Sequence, residues 1–96
     1  MTEHSLDFPQ GYEKYASEVE SKGWFGDVKL TYSGRRYRLT FYDPVRLAQE
    51  IDSEIQRGGI FFEPNLVVVR SVTRPEMENA VTQLIERGGV SLLVAD

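Results

Sequence analysis

Residues 27–42 read Asp27-Val28-Lys29-Leu30-Thr31-Tyr32-Ser33-Gly34-Arg35-Arg36-Tyr37-Arg38-Leu39-Thr40-Phe41-Tyr42, and they carry the clearest strand pattern of the chain. Apolar and polar side chains alternate on both sides of Ser33-Gly34, as in two half-buried strands. Because strand side chains point alternately to the two faces, an even-length loop near Gly34 puts both apolar sets on one face. The stretch therefore predicts a β-hairpin.

A helix is predicted directly after the hairpin. Asp43-Pro44 provides a helix N-cap and a first-turn proline, and Gly58 provides a left-handed stop. Between them, apolar residues recur at helical spacing. These residues are Leu47, Ala48, Ile51 and Ile55.

A second strand-strand-helix unit follows at a similar spacing. Strands are predicted at Ile60–Phe62 and from Leu66 to Val72, joined by a turn at Pro64. Thr73 and Glu76 form a capping-box pattern at the start of another helix, which Gly88 ends. Residues 90–95 then predict a last short strand.

The two units repeat at an offset of 30 residues, since Gln56-Arg57-Gly58-Gly59 and Glu86-Arg87-Gly88-Gly89 occupy the same place in each. Such a period is typical of a duplicated ββα unit. Ordinary helix-stop chemistry in two units of similar length explains it equally well. Both interpretations predict the same architecture.

An N-terminal helix precedes these units, marked by one stripe of Phe8, Tyr12, Tyr15, Ala16 and Val19. The predicted order is α-ββ-α-ββ-α-β, a single α+β domain over residues 1–96 with residues 1–7 as a flexible tail. We expect a five-stranded antiparallel or mixed sheet. Two helices should cover one face, and the N-terminal helix should lie on the other face or at an edge.

The amino-acid composition excludes several kinds of catalytic and metal site. The chain has no cysteine, which excludes disulfides, thiolate metal sites and cysteine nucleophiles. Its one histidine, His4, cannot form a multi-histidine metal site within one chain, and we interpret it as a solvated residue. No run of residues is long and apolar enough to span a membrane, and Met1–Gln10 has no apolar signal-peptide core. We therefore expect a cytoplasmic protein without a cofactor or metal.

The predicted outer face of the sheet has two parts. Its first hairpin is locally basic although the chain carries a net charge of -4, and the candidate binding residues there are Lys29, Arg36, Arg38 and Tyr42. The remainder is apolar and should be covered by the N-terminal helix or by a second copy. The candidate interface residues there are Phe61, Leu66, Val68 and Leu93.

These patterns favour a small non-enzymatic protein-binding module, such as a regulator, an adaptor or an antitoxin- or immunity-like inhibitor, acting through one sheet face. Its partner would be an unknown protein, with a homodimer possible. One alternative is single-stranded nucleic-acid binding by the basic face, which the acidic balance of the chain disfavours. Another is a small-ligand site or an enzyme that uses Glu63 or Tyr42 beside an arginine.

Overall fold

The computed structural model describes residues 3–96. Over this range the chain forms three α-helices and one mixed four-stranded sheet of order β1-β2-β3-β4. In chain order the elements are β1 (His4–Asp7), α1 (Tyr12–Lys22), β2 (Trp24–Tyr32), β3 (Arg35–Tyr42), α2 (Pro44–Gln56), β4 (Leu66–Val68), α3 (Arg74–Glu86) and a short 3-10 helix, Gly89–Leu92. The α+β class predicted from the sequence is confirmed.

The central hairpin of β2 and β3 turns through a two-residue loop. Ser33 and Gly34 both have positive φ, 52° and 78°, the conformation of the type I′ turn that matches the twist of paired strands. Leu30 lies opposite Tyr37 and Val28 opposite Leu39, so both apolar sets share one face. This register agrees with the alternation in residues 27–42.

The expected five strands are not found. Ile60–Phe62 forms no strand, and the chain after Gly88 begins with a 3-10 helix instead of a last strand. β4 pairs in parallel with β3, with Thr40 opposite Leu66, so α2 is the connection between two parallel strands. A short apolar run has the composition of a strand whether or not another strand is available to pair with it, which explains the error.

The predicted ββα duplication is not confirmed, because the first unit contains a hairpin and the second does not. Both units do end their helix in the same way. Gly58 and Gly88 have φ of 80° and 71°, and each amide bonds to a carbonyl in the last turn of its helix. The similarity therefore lies in the helix stops.

The expected flexible tail at residues 1–7 contains β1. His4–Asp7 pairs antiparallel with β2, with Leu6 opposite Leu30, and Leu6 packs against the core. One apolar residue in a polar stretch is a weak strand signal, and the free edge of β2 supplies the partner that the sequence does not reveal. Met1 and Thr2 lie outside the described residues.

Both α1 and α3 pack on the apolar face of the hairpin, so the expected position of the N-terminal helix is wrong. Tyr12 of α1 is buried with its ring 5.3 Å from that of Phe25, and Met77 and Val81 of α3 join the same cluster. Helix α2, by contrast, has no buried residue. Among residues 3–96, the buried apolar residues are Tyr12, Val19, Phe25, Val28, Leu30, Tyr37, Leu39, Phe41, Tyr42, Val69, Val72, Met77, Val81 and Val90.

Of the two N-terminal caps predicted from the sequence, one is formed. Asp43 accepts a hydrogen bond from the Arg46 amide at 2.7 Å, as an N-cap should. The expected capping box at the start of α3 is not formed, because the Thr73 side chain makes no cap bond and Glu76 pairs with Arg70.

Candidate functional site

The face of the sheet opposite the core carries the predicted basic residues. The register aligns Thr31 with Arg36 and Lys29 with Arg38, and Asp7 of β1 lies opposite Lys29. Arg36 and Arg38 are exposed, and Lys29 is half-buried. The structure thus places these three cations on neighbouring strands of one face.

The C-terminal segment neutralises part of this basic face. Asp96 lies 3.2 Å from the Lys29 ammonium, and its amide donates to the Arg36 carbonyl at 2.8 Å. Within residues 3–96, neither Arg36 nor Arg38 has a carboxylate within ion-pair distance. The positive charge open to a partner is therefore that of the two arginines.

Tyr42 lies on the same face but is not available as an exposed contact. It is 5% exposed, its ring meets that of Phe61 edge-on at 6.0 Å, and its hydroxyl donates to Glu63 at 2.8 Å. Burial, followed by the hydrogen bond to Glu63, raises the pKa of Tyr42 to about 12. The binding set predicted from sequence is thus divided between two exposed arginines, one ion-paired lysine and one buried tyrosine.

The predicted apolar interface is also divided. Phe61 is half-buried against Tyr42, and Leu93 is half-buried against the core. Leu66 and Val68 lie on β4, where Val68 alone of the four is exposed, at 46%. These four residues therefore do not form one exposed patch.

A different apolar surface is exposed, and we call it the α2 surface. Two of its members, Ile60 and Phe62, are 78% and 79% exposed. It also includes Ile51 and Ile55, which are 38% and 58% exposed, and the half-buried Leu47. The helical spacing of Leu47, Ile51 and Ile55 was visible in the sequence. The sequence did not show that no other element of the described chain packs over them.

A groove lies on the free side of β4, between this strand and α3. It encloses about 270 Å³ and is bordered by Val67–Arg70 on the strand side. Its helix side is formed by residues spaced three or four apart on α3. These are Glu76, Asn79, Ala80, Gln83, Leu84 and Arg87.

Acid-base and metal chemistry have few candidate groups in the described part of the chain. Within residues 3–96, no three histidine, aspartate or glutamate side chains are grouped so that they could hold a metal ion. Besides Tyr42, the pKa of Tyr12 is raised by burial and that of Arg74 by its bonds to Glu78 and Glu13. Glu63, which we considered as a ligand-site residue, accepts the Tyr42 bond.

Among residues 3–96, none of the helices has the length and apolar character needed to cross a membrane. Comparisons with models of protein families, with curated protein sequences and with solved structures found no significant match.

Proposed function

We propose that this chain is a small protein-binding module and that its principal contact region is the α2 surface. The observation that supports this most is the exposure of Ile60 and Phe62, at 78% and 79%, beside an amphipathic helix that has no buried residue. Isolated exposed apolar side chains are common on proteins, whereas several along one helix and its continuation indicate an interaction site.

Ile60 and Phe62 follow α2 after a tight turn. The Gly58 amide bonds to the Ile55 carbonyl, and the Gly59 amide bonds to the Glu54 carbonyl, both at 3.0 Å. These two bonds form a Schellman motif, which ends the helix and changes the direction of the chain. Ile60 therefore follows directly after the last turn of the helix. Contiguous exposed apolar patches of about 300–600 Å² on a monomer are often functional.

The polar residues around the α2 surface are paired with one another. Arg46 bonds to Glu50 at 2.8 Å, Arg57 bonds to Glu54, and Gln56 bonds to Asp52 at 2.9 Å. A partner can therefore cover the apolar centre without burying an unpaired charge, which is the usual anatomy of a protein interface. Leu47, Ile51 and Ile55 are spaced four apart, as in helices that dock into an apolar groove.

The basic face supports a second contact region for an acidic protein. Arg36 and Arg38 are exposed without ion pairs in the described part of the chain, and arginine is a favoured anchor at interfaces. Single-stranded nucleic acid also needs an aromatic ring on which a base can stack. Because the ring we expected there, Tyr42, is buried, we do not propose that alternative.

A three-bait pull-down tests the proposal. The baits are the unchanged chain, Ile55→Asp with Phe62→Asp, and Arg36→Glu with Arg38→Glu, each first shown to unfold at the same urea concentration as the unchanged chain. We expect the captured amount of at least one protein to be about tenfold or more lower with the second bait than with the unchanged chain. The reason is that a few buried anchor side chains contribute most of the binding energy of an interface.

The third bait tests the second contact region, because it changes charge on the basic face and leaves the α2 surface unchanged. If every protein retained by the unchanged chain is retained equally by the Ile55→Asp, Phe62→Asp bait, the α2 surface is not the contact region. Selective loss on the arginine bait would instead assign contact to the basic face.

A further inference from the structure

Strand β4 leaves one edge of the sheet unpaired. The Thr40 amide donates to the Asn65 carbonyl at 3.1 Å, and the Val69 amide donates to the Tyr42 carbonyl at 2.9 Å. Because peptide groups along a strand point alternately to its two sides, those of Leu66 and Val68 point away from β3. Within residues 3–96, no other element supplies a backbone partner for these groups.

The groove beside this edge has an apolar centre and polar ends. Ala80 and Leu84 are half-buried along its helix wall, and Val67 and Val68 form its strand side. An unpaired edge beside an apolar helix face is a common place for another strand to add to a sheet.

The order of charges along α3 indicates which partner fits. Glu76 lies near the start of the helix, the amides Asn79 and Gln83 follow, and Arg87 lies just past its end. Glu76 and Arg87 are eleven residues apart, about 16 Å along a helix. An antiparallel second copy of α3 would therefore place Glu76 opposite the partner's Arg87 at both ends of the contact.

We propose that this chain forms a two-fold homodimer through β4 and α3. The outward peptide groups of Leu66 and Val68 pair antiparallel with those of the second copy, which joins the two sheets. Ala80 and Leu84 of the two α3 helices close over the junction, and the Glu76–Arg87 contacts flank it. The same residues serve on both sides, as an isologous interface requires.

A second copy fits this groove better than a short acidic peptide does. Arg70 already pairs with Glu76, so the charge of the groove that lacks a partner within residues 3–96 is that of Arg87, and a second copy of the chain brings a carboxylate to it. Arg87 has the neutral Gln83 as its hydrogen-bond partner, at 3.2 Å, and keeps its charge for a carboxylate from outside. An antiparallel second copy places its Glu76 opposite Arg87 at each end of the contact, where Arg70 and Arg87 flank the same carboxylate.

The first test is the mass of the chain by sedimentation equilibrium from low to several hundred micromolar. We expect the unchanged chain to reach twice its monomer mass, and Val68→Pro to stay monomeric, since proline removes an amide N–H used only between copies. Val68→Thr keeps that N–H and should dimerise. A monomeric unchanged chain, or a Val68→Pro chain that dimerises normally, overturns the proposal.

The second test exchanges the charges. Glu76→Arg and Arg87→Glu should each weaken dimerisation about tenfold, and the double variant should recover most of the loss. Because Glu76 also contacts Arg70 within the chain, urea unfolding of all three variants separates a loss of folding from a loss of association. Equal dimerisation by both single variants and the unchanged chain would show that α3 does not pair in this way.

The α2 surface lies outside this interface, so the two proposals can fail separately. Ile55→Asp with Phe62→Asp should leave the dimer unchanged. Dimer loss in that double variant would place self-association on the α2 surface and contradict the β4 interface.

Discussion

At the scale of single residues, Asn65 organises more of the structure than its place in a turn suggests. Its side-chain amide donates to the Arg38 and Val94 carbonyls and accepts from the Val94 amide, each at 2.8 Å. Its φ of 56° is left-handed, a conformation that asparagine tolerates better than most residues. One side chain thus connects β3, the start of β4 and the C-terminal segment.

Tyr42 and Tyr12 are both buried tyrosines, but only one has a partner for its hydroxyl. Tyr42 donates to Glu63 at 2.8 Å, whereas the Tyr12 hydroxyl has no hydrogen-bond partner within residues 3–96. Removing a bonded hydroxyl loses its bond, and removing an unbonded one relieves a desolvation cost.

We therefore expect Tyr42→Phe to lower the free energy of unfolding by about 1 kcal/mol at neutral pH. Tyr12→Phe, the matched control, should have no effect or a stabilising one. Urea unfolding measures both. If Tyr42→Phe is as stable as the unchanged chain at neutral pH, the bond to Glu63 contributes nothing to the fold.

The same tyrosine makes stability depend on alkaline pH. The pKa of Tyr42 is raised from 10.0 to about 12 in the folded chain, so the folded state holds this proton more tightly than the unfolded state. The resulting stabilisation is complete below pH 10.0 and is lost as the pH rises to about 12. Over that range the unchanged chain should lose stability more steeply than Tyr42→Phe.

At the scale of elements, α2 differs from the other two helices in its packing. α1 and α3 bury residues in the core, whereas α2 buries none. Asp43 caps its start, and the Gly58 and Gly59 amides close its last turn. These bonds lie within the helix and its end turns, so they stabilise α2 itself and do not bury its apolar side chains.

The two glycines at the end of α2 should respond differently to alanine. Gly58 has a φ of 80° and free space around a side chain, so Gly58→Ala should cost about 1 kcal/mol by conformational strain alone. Gly59 is not left-handed, and a methyl group there would make only ordinary contacts with Glu54. Gly59→Ala is therefore the matched control.

Amide hydrogen exchange in the last turn of α2 measures this difference. Exchange should accelerate roughly fivefold in Gly58→Ala, the equivalent of about 1 kcal/mol, and change little in Gly59→Ala. Similar acceleration in both variants would show that α2 does not depend on the left-handed residue.

At the scale of the whole molecule, the buried apolar residues of the described chain form one core cluster on one face of the sheet, and Tyr42, packed against Phe61 on the other face, lies outside it. Tyr12 and Val19 of α1 lie in the same cluster as Leu30, Leu39 and Met77. Phe8, Tyr15 and Ala16 pack against that cluster. The N-terminal region is therefore part of the core and not an added cover for the other face.

Removal of residues 1–22 should consequently unfold the chain, since it uncovers Phe25, Val28 and Leu30 and deletes β1. Circular dichroism with a thermal melt should show no cooperative transition. The Ile55→Asp, Phe62→Asp variant should keep the transition of the unchanged chain. A truncated chain with an unchanged melt would contradict a single shared core.

Local chemistry was predictable from the sequence because it depends on neighbours along the chain. The alternation around Gly34 predicted the hairpin and its register. Asp43 marked the start of α2, and Gly58 and Gly88 marked the ends of α2 and α3. The same parity placed Lys29, Arg36 and Arg38 on one face. Each of these features needs only strand or helix geometry and a turn residue.

The pairing of strands, and the packing of side chains that are distant in sequence, could be read from the tertiary structure alone. Leu66–Val68 pairs with β3 and leaves Ile60–Phe62 unpaired, and His4–Asp7 occupies the free edge of β2. Tyr42 is buried because Phe61 and Glu63, distant in sequence, cover it. A strand pattern specifies which side chains share a face, but the choice of partner depends on which edges the rest of the chain leaves open.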